Sequence, residues 1–130
     1  MKGLEKYADT AYALLRIMAG ILFAFHGAQK LFGLLGGHQP AVGSQLFWAG
    51  IIEFFGGLTV ALGLGPLTRV AAFIASGEMA VAYFQAHWKF QLGTNFFPVV
   101  NRGELAVLYC FIFLLIACRG PVKWGLIRKG

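Results

Sequence analysis

Ionisable side chains that seldom sit in hydrocarbon recur inside apolar runs of this chain: His26 and Lys30 in the first, Glu53 in LFWAGIIEFFGGLTVALGL, and Glu78 in the third. A charge near the centre of a membrane span costs about 2.5–3.5 kcal/mol on insertion scales, so it is kept where it faces protein or a wet cavity and has partners. His26 and Lys30 are four apart and share one face of a helix. The imidazole and ammonium are suited to hydrogen-bonding a carbonyl or anionic group, and Glu53 or Glu78 to exchanging a proton with it. Two readings stay open: a ligand or proton site, and a mutually satisfied ion-pair network that sets helix register. His26, Glu53 and Glu78 supply only a partial metal-ligand set, so no metal site is expected. No phosphate loop, HExxH or CxxCH occurs, and nothing motivates a haem between His26 and His87.

The elements that must carry these residues are membrane helices. Hydrophobic residues make up 58% of the 130 residues and charged residues only 12%, with a mean hydropathy of +0.71. The residues from Leu46 to Leu64 form an apolar run that, at about 1.5 Å per residue, extends roughly 28 Å, enough to cross a hydrocarbon core of about 30 Å. Three further runs give expected spans at about 11–32, 67–87 and 102–118, separated by short loops marked by Gly33, Gly36, Gly37 and Pro40, then Gly63, Gly65 and Pro66. The expected fold is all-α, an integral membrane four-helix bundle forming a single membrane domain over 1–130. Arg16, His26 and Lys30 interrupt the first run, and no small-residue cleavage site follows, so it reads as a retained span rather than a signal peptide. Trp88, Phe90, Phe96 and Phe97 mark an interfacial segment before the last span.

Four spans place both termini on one side. Lys2, Lys6, Arg69, Arg119, Lys123, Arg128 and Lys129 fall there, against Lys30, Lys89 and Arg102 opposite, so both termini are expected to be cytoplasmic. The net charge of +6 thereby reads as topology and not as a nucleic-acid footprint. By helix rise His26, Lys30, Glu53, Glu78 and Glu104 lie roughly 17–27 Å from the cytoplasmic face, in the outer half. Arg16 and Arg69 lie near the cytoplasmic ends, where they can snorkel or cap helix termini. Asn101 and Glu104 have the spacing of a capping box, which stands beside a site reading for Glu104. Gly50, Gly57, Gly56 and Gly63 are placed to let the second helix pack closely on its neighbours. Cys110 and Cys118 are eight apart on one helix, about 12 Å along its axis, too far to form a disulfide with each other.

The ordered motifs RIMAGILFAFHGAQKLFG (16–33), EFFGG (53–57), LTR (67–69), EMAVAY (78–83) and FFPVVNRGE (96–104) resemble the DoxX family over nearly the whole chain. The resemblance implies a bacterial inner-membrane four-helix bundle with polar positions at Arg16, His26, Gln29, Lys30, Glu53, Arg69, Glu78, Asn101 and Glu104. It also implies a link to quinone-dependent redox pathways, although no family motif supplies a redox centre in this sequence, so electron transfer would need a bound quinone or a partner subunit. The reading is of an outward-biased polar cavity that binds a quinone or lipid-like molecule through His26, Gln29, Lys30, Glu53, Glu78, Asn101 and Glu104. Arg16 and Arg69 then serve structure on the cytoplasmic side. A proton-coupled small-molecule transporter and a non-catalytic scaffold are the alternatives. The partners considered are the lipid bilayer, a small amphipathic ligand, a soluble redox partner and a second copy of the chain.

Overall fold

A computed structural model describes residues 1–127; Arg128 and Lys129 of the basic tail lie outside the described residues. Four helices account for most of them: α1 (Ala8–Phe32), α2 (Gln45–Leu62), α3 (Pro66–Trp88) and α4 (Glu104–Arg119). No strand occurs among the described residues; the nearest approach is an isolated bridge between Leu64 and Ile127. The stretch around α1 and the whole of α2 and α3 are long and apolar enough to cross a membrane. The 16 residues of α4 reach about 24 Å and make it the short member of the bundle.

Each helix stops where its sequence removes the means to continue. Gly33 ends α1 in the left-handed region and donates its N–H to the Gln29 carbonyl. The Ser44 side chain caps the start of α2 by accepting from the Phe47 N–H. Gly63, at φ +69°, ends α2, and Pro66 opens α3 where its missing N–H costs nothing. The turn between them is held by Thr68, whose hydroxyl accepts from the Leu64 N–H at 2.6 Å.

The start of α4 departs from the expected capping box. Pro98 initiates a separate helical turn, Pro98–Asn101, which Arg102 terminates at φ +61°. Asn101 therefore serves the bend instead of the helix: its Oδ1 accepts from the Gly103 N–H at 2.8 Å. Gly103 is the N-cap, Glu104 is the first helical residue rather than the third, and α4 begins two residues later than 102. The segment before it is stapled to α3. Asn95 donates to the Trp88 carbonyl, Asn101 donates to the Asn95 carbonyl, and the Tyr83 hydroxyl donates to the Phe96 carbonyl. Trp88 packs on Phe90 and Phe96 at 5.2 Å between ring centroids.

The helices pair as α1 on α2 and α3 on α4. Backbone-to-backbone approach defines the first pair: a Cβ on Gly20 would stand 2.6 Å from the Gly57 carbonyl oxygen, and one on Gly57 2.6 Å from that of Gly20. In lipid, where apolar surface gains little from leaving its solvent, this close backbone contact supplies the attraction. Gly50 joins the contact, since a Cβ there would meet Lys30 Cβ at 2.9 Å. Gly56 does not, because a Cβ there meets nothing within 4 Å. The two pairs meet over Phe23, which packs on Phe113 at 4.6 Å and on Tyr109 at 5.4 Å.

Candidate functional site

At the end of the bundle away from the termini the helices part around a cleft of about 890 Å³. Its inner wall is Phe23, His26 and Lys30 of α1 with Ala106 and Tyr109 of α4, and its flanks are α2 and α3. Both flanks widen from α-helical to π geometry here, over Ile52–Gly56 in α2 and Tyr83–Trp88 in α3. Such turns insert an extra residue into the helical repeat and recur at functional sites. Glu53 lies in the first and Gln85 and His87 in the second.

The charged groups form one cluster. Lys30 Nζ donates to both carboxylate oxygens of Glu53, at 2.7 and 2.6 Å. The Glu53 side chain is 4% exposed and that of Lys30 27%, so the pair is anchored at the acid and wetted at the base. Glu78 on α3 comes within hydrogen-bonding reach of Glu53, and its Oε2 is buried without a partner. One ammonium faces two carboxyl groups, which leaves an acceptor over for a proton or for a donor on a ligand. His26, one turn before Lys30, meets the Tyr109 ring edge-on at 6.4 Å.

The cleft opens sideways between α2 and α3. Trp48, Ile74 and Val81 line it and are also exposed on the outer surface of the bundle. At the loop end the gap is bridged by Gln45, whose side-chain amide donates to Gln85 Oε1 at 2.6 Å.

Of the seven expected ligand-binding residues, the fold brings His26, Lys30, Glu53 and Glu78 together and leaves three elsewhere. Gln29 points into the first loop, donating to the Leu35 carbonyl at 3.1 Å. Asn101 is occupied with Tyr83, Asn95 and Gly103. Glu104 is an exposed residue in the first turn of α4. Their polarity is accounted for by loop and helix-end geometry, which motif spacing does not distinguish from a site.

The fold also adds Gln45, Gln85, His87, Arg102 and Tyr109 to the lining. Gln85 was legible as sharing the α3 face of Glu78, at i+7. Arg102 was not: its position at the cleft follows from the left-handed bend that precedes α4.

Arg16 and Arg69 sit at the opposite end, each capping the C-terminus of another helix. Arg16 is fully buried and does not snorkel. It donates to the Val60 and Ala61 carbonyls at the end of α2, at 2.6 and 2.8 Å, and to Lys123 and Trp124 of the tail. Arg69 donates to the carbonyls of Ala117, Cys118 and Arg119 at the end of α4. Both guanidinium groups meet the negative ends of helix dipoles, which stabilises a cation there without a carboxylate.

Fold and composition define a small all-helical integral membrane protein with a half-buried ionisable cluster between its helices. The chain belongs to the DoxX family, whose sequence model matches residues 11–88. The matched segment carries all but the first residues of α1, with α2 and α3, and hence His26, Lys30, Glu53 and Glu78. Over 133 aligned residues, covering 99% of this chain and 97% of the relative, it is 42% identical to an uncharacterised protein of Haemophilus influenzae. It is 29% identical to inner membrane protein YqjF of Escherichia coli K12, covering 96% of this chain and 95% of that one. No solved structure matches. With its apolar helices, this places the chain among bacterial inner-membrane proteins.

Proposed function

We propose that the cleft binds a quinone or a similar lipid-like amphiphile, head first, in a redox-related pathway of the inner membrane. One observation carries the reading: a Lys30–Glu53–Glu78 cluster, buried at Glu53 and half-buried at Lys30 and Glu78, with an unpartnered acceptor on Glu78, lines a cleft that opens to the surface between α2 and α3. Lys30 and His26 supply donors for a carbonyl or anionic oxygen. Glu78 supplies an acceptor for a hydroxyl, the group a quinone gains on reduction. The basic residues favour cytoplasmic termini and so an outer-half site.

The test is extraction of protein purified gently from membranes, with quinones and lipids quantified by mass spectrometry. Enrichment of one amphiphile over its abundance in the bulk membrane, lost in Lys30→Met, supports the reading. A bound fraction that mirrors the membrane refutes it. The unpartnered Glu78 oxygen beside Glu53 also favours a second reading, a proton-coupled transporter with these acids as coupling groups. Proton-dependent flux in proteoliposomes, abolished by Glu78→Gln, would establish that one instead.

A further inference from the structure

The seam between α2 and α3 does not end with the polar cleft. A second cavity of about 300 Å³ lies farther along the same seam, toward the chain termini, lined by Ile51, Phe55, Gly56 and Thr59 of α2 and by Leu67, Val70 and Ala71 of α3. Ile52 and Ile74 line both cavities, so the two adjoin along one seam. Its chemistry changes along its length. Every side chain of the second cavity is apolar except Thr59, whose hydroxyl is already spent on the Phe55 carbonyl at 2.8 Å.

We propose that this second cavity is the binding site for the apolar tail of the amphiphile whose head sits at Lys30, Glu53 and Glu78, with the tail directed toward the end of the bundle that carries the termini. The assignment rests on the amphiphile reading above and specifies how the molecule lies. Their adjacency at Ile52 and Ile74 points to the occupant, because a single molecule spanning both parts must be polar at one end and apolar at the other. From Glu78 back to Leu67 is eleven residues of α3, about 16 Å, which sets the length of tail accommodated. The π turn at Ile52–Gly56 stands at the junction, between the carboxylate of Glu53 and the bare backbone of Gly56. No side chain fills the space over Gly56, where a Cβ would meet nothing within 4 Å. Phe55, Leu67 and Val70 are exposed on the rim, so a tail slides in from the bilayer without threading through the loops.

The test uses a benzoquinone bearing a ten-carbon tail that ends in a photoreactive diazirine, with protein in lipid nanodiscs. Illumination should label the segments around residues 55–59 and 67–71. An excess of tail-less benzoquinone should suppress the labelling, and Gly56→Phe should reduce it about fivefold, because the ring occupies the tail's place. Gly56→Leu provides a smaller plug; thermal unfolding of both variants confirms that the fold is kept. Labelling spread evenly over outward residues such as Phe73 and Phe111, unaffected by the tail-less competitor, means bulk lipid only and overturns the assignment. Wild-type labelling in both plugged variants overturns it as well. Labelling confined to the groove but insensitive to the tail-less head keeps the tail site and overturns the head site instead.

Discussion

Replacing Glu53 by glutamine distinguishes a ligand site from an ion pair that only holds helices together. Removing one partner of a fully buried pair costs about 3–5 kcal/mol, because the other charge is stranded. Lys30 is not so placed: 27% of its side chain is exposed and it borders the cleft of about 890 Å³, where solvent can reach Nζ. Glutamine also keeps the volume of glutamate and one oxygen within reach of the ammonium. The expected loss for Glu53→Gln is therefore about 1–2 kcal/mol, near that of a charge-assisted hydrogen bond weakened to a neutral one. Lys30→Met should cost more, since it leaves the adjoining carboxyls of Glu53 and Glu78 without their cation. The assay is thermal unfolding of both single variants and the double variant in one detergent, with bound quinone and lipid quantified alongside. Ligand retention should fall in all three. A loss of about 3–5 kcal/mol in Glu53→Gln that Lys30→Met restores, with ligand content constant throughout, would refute the reasoning and leave a structural ion pair.

The α1–α2 contact gives a contrast between two glycines: Gly27→Ala places a Cβ 2.2 Å from the Phe54 nitrogen and should destabilise by about 1–3 kcal/mol or more, whereas Gly77→Ala meets nothing within 4 Å and should be neutral or better by up to about 1 kcal/mol. Equal unfolding temperatures for the two would show that the helices are not in backbone contact. Arg16→Met removes a cation that binds four carbonyls and should free residues 121–127, seen as faster amide exchange at Leu126 and Ile127, whose N–H groups bond to Leu62 and Gly63. Arg16→Lys should not restore protection, because a single ammonium cannot span the two pairs of carbonyls as the guanidinium fork does. Reporter fusions after Gly36 and within residues 90–96 should read periplasmic; a cytoplasmic reading at either position contradicts the basic-residue count and moves the cluster to the inner half of the bilayer.

Much of the architecture follows from local chemistry, which is why it is legible in the sequence. Apolar runs of membrane-spanning length declare helices, and Gly33, Gly63 and Pro66 declare their ends, because backbone freedom and a missing N–H act on the residue itself. The i to i+4 spacing of His26 and Lys30 places both on one face for the same reason. The ionisable residues within those runs include the members of the cluster, since hydrocarbon makes each of them costly unless partnered, but they also include Arg16, Arg69 and Glu104, which the fold places elsewhere.

What the sequence could not decide depends on contacts between helices. That Lys30 pairs with Glu53 while Glu78 keeps a free oxygen is set by how α1, α2 and α3 rotate against one another, and the Gly20–Gly57 contact fixes that rotation for the first two. The spacing of Asn101 and Glu104 fits a capping box as well as a site, because spacing alone carries no information about the left-handed bend at Arg102, which separates them. Gln29 shares its helix with His26 and Lys30 but lies off their face, so the same rotation that gathers those two sends it to the loop. The groove along α2 and α3 is likewise a property of two helices and the space between them, since a residue's type does not say which neighbour will leave room beside it.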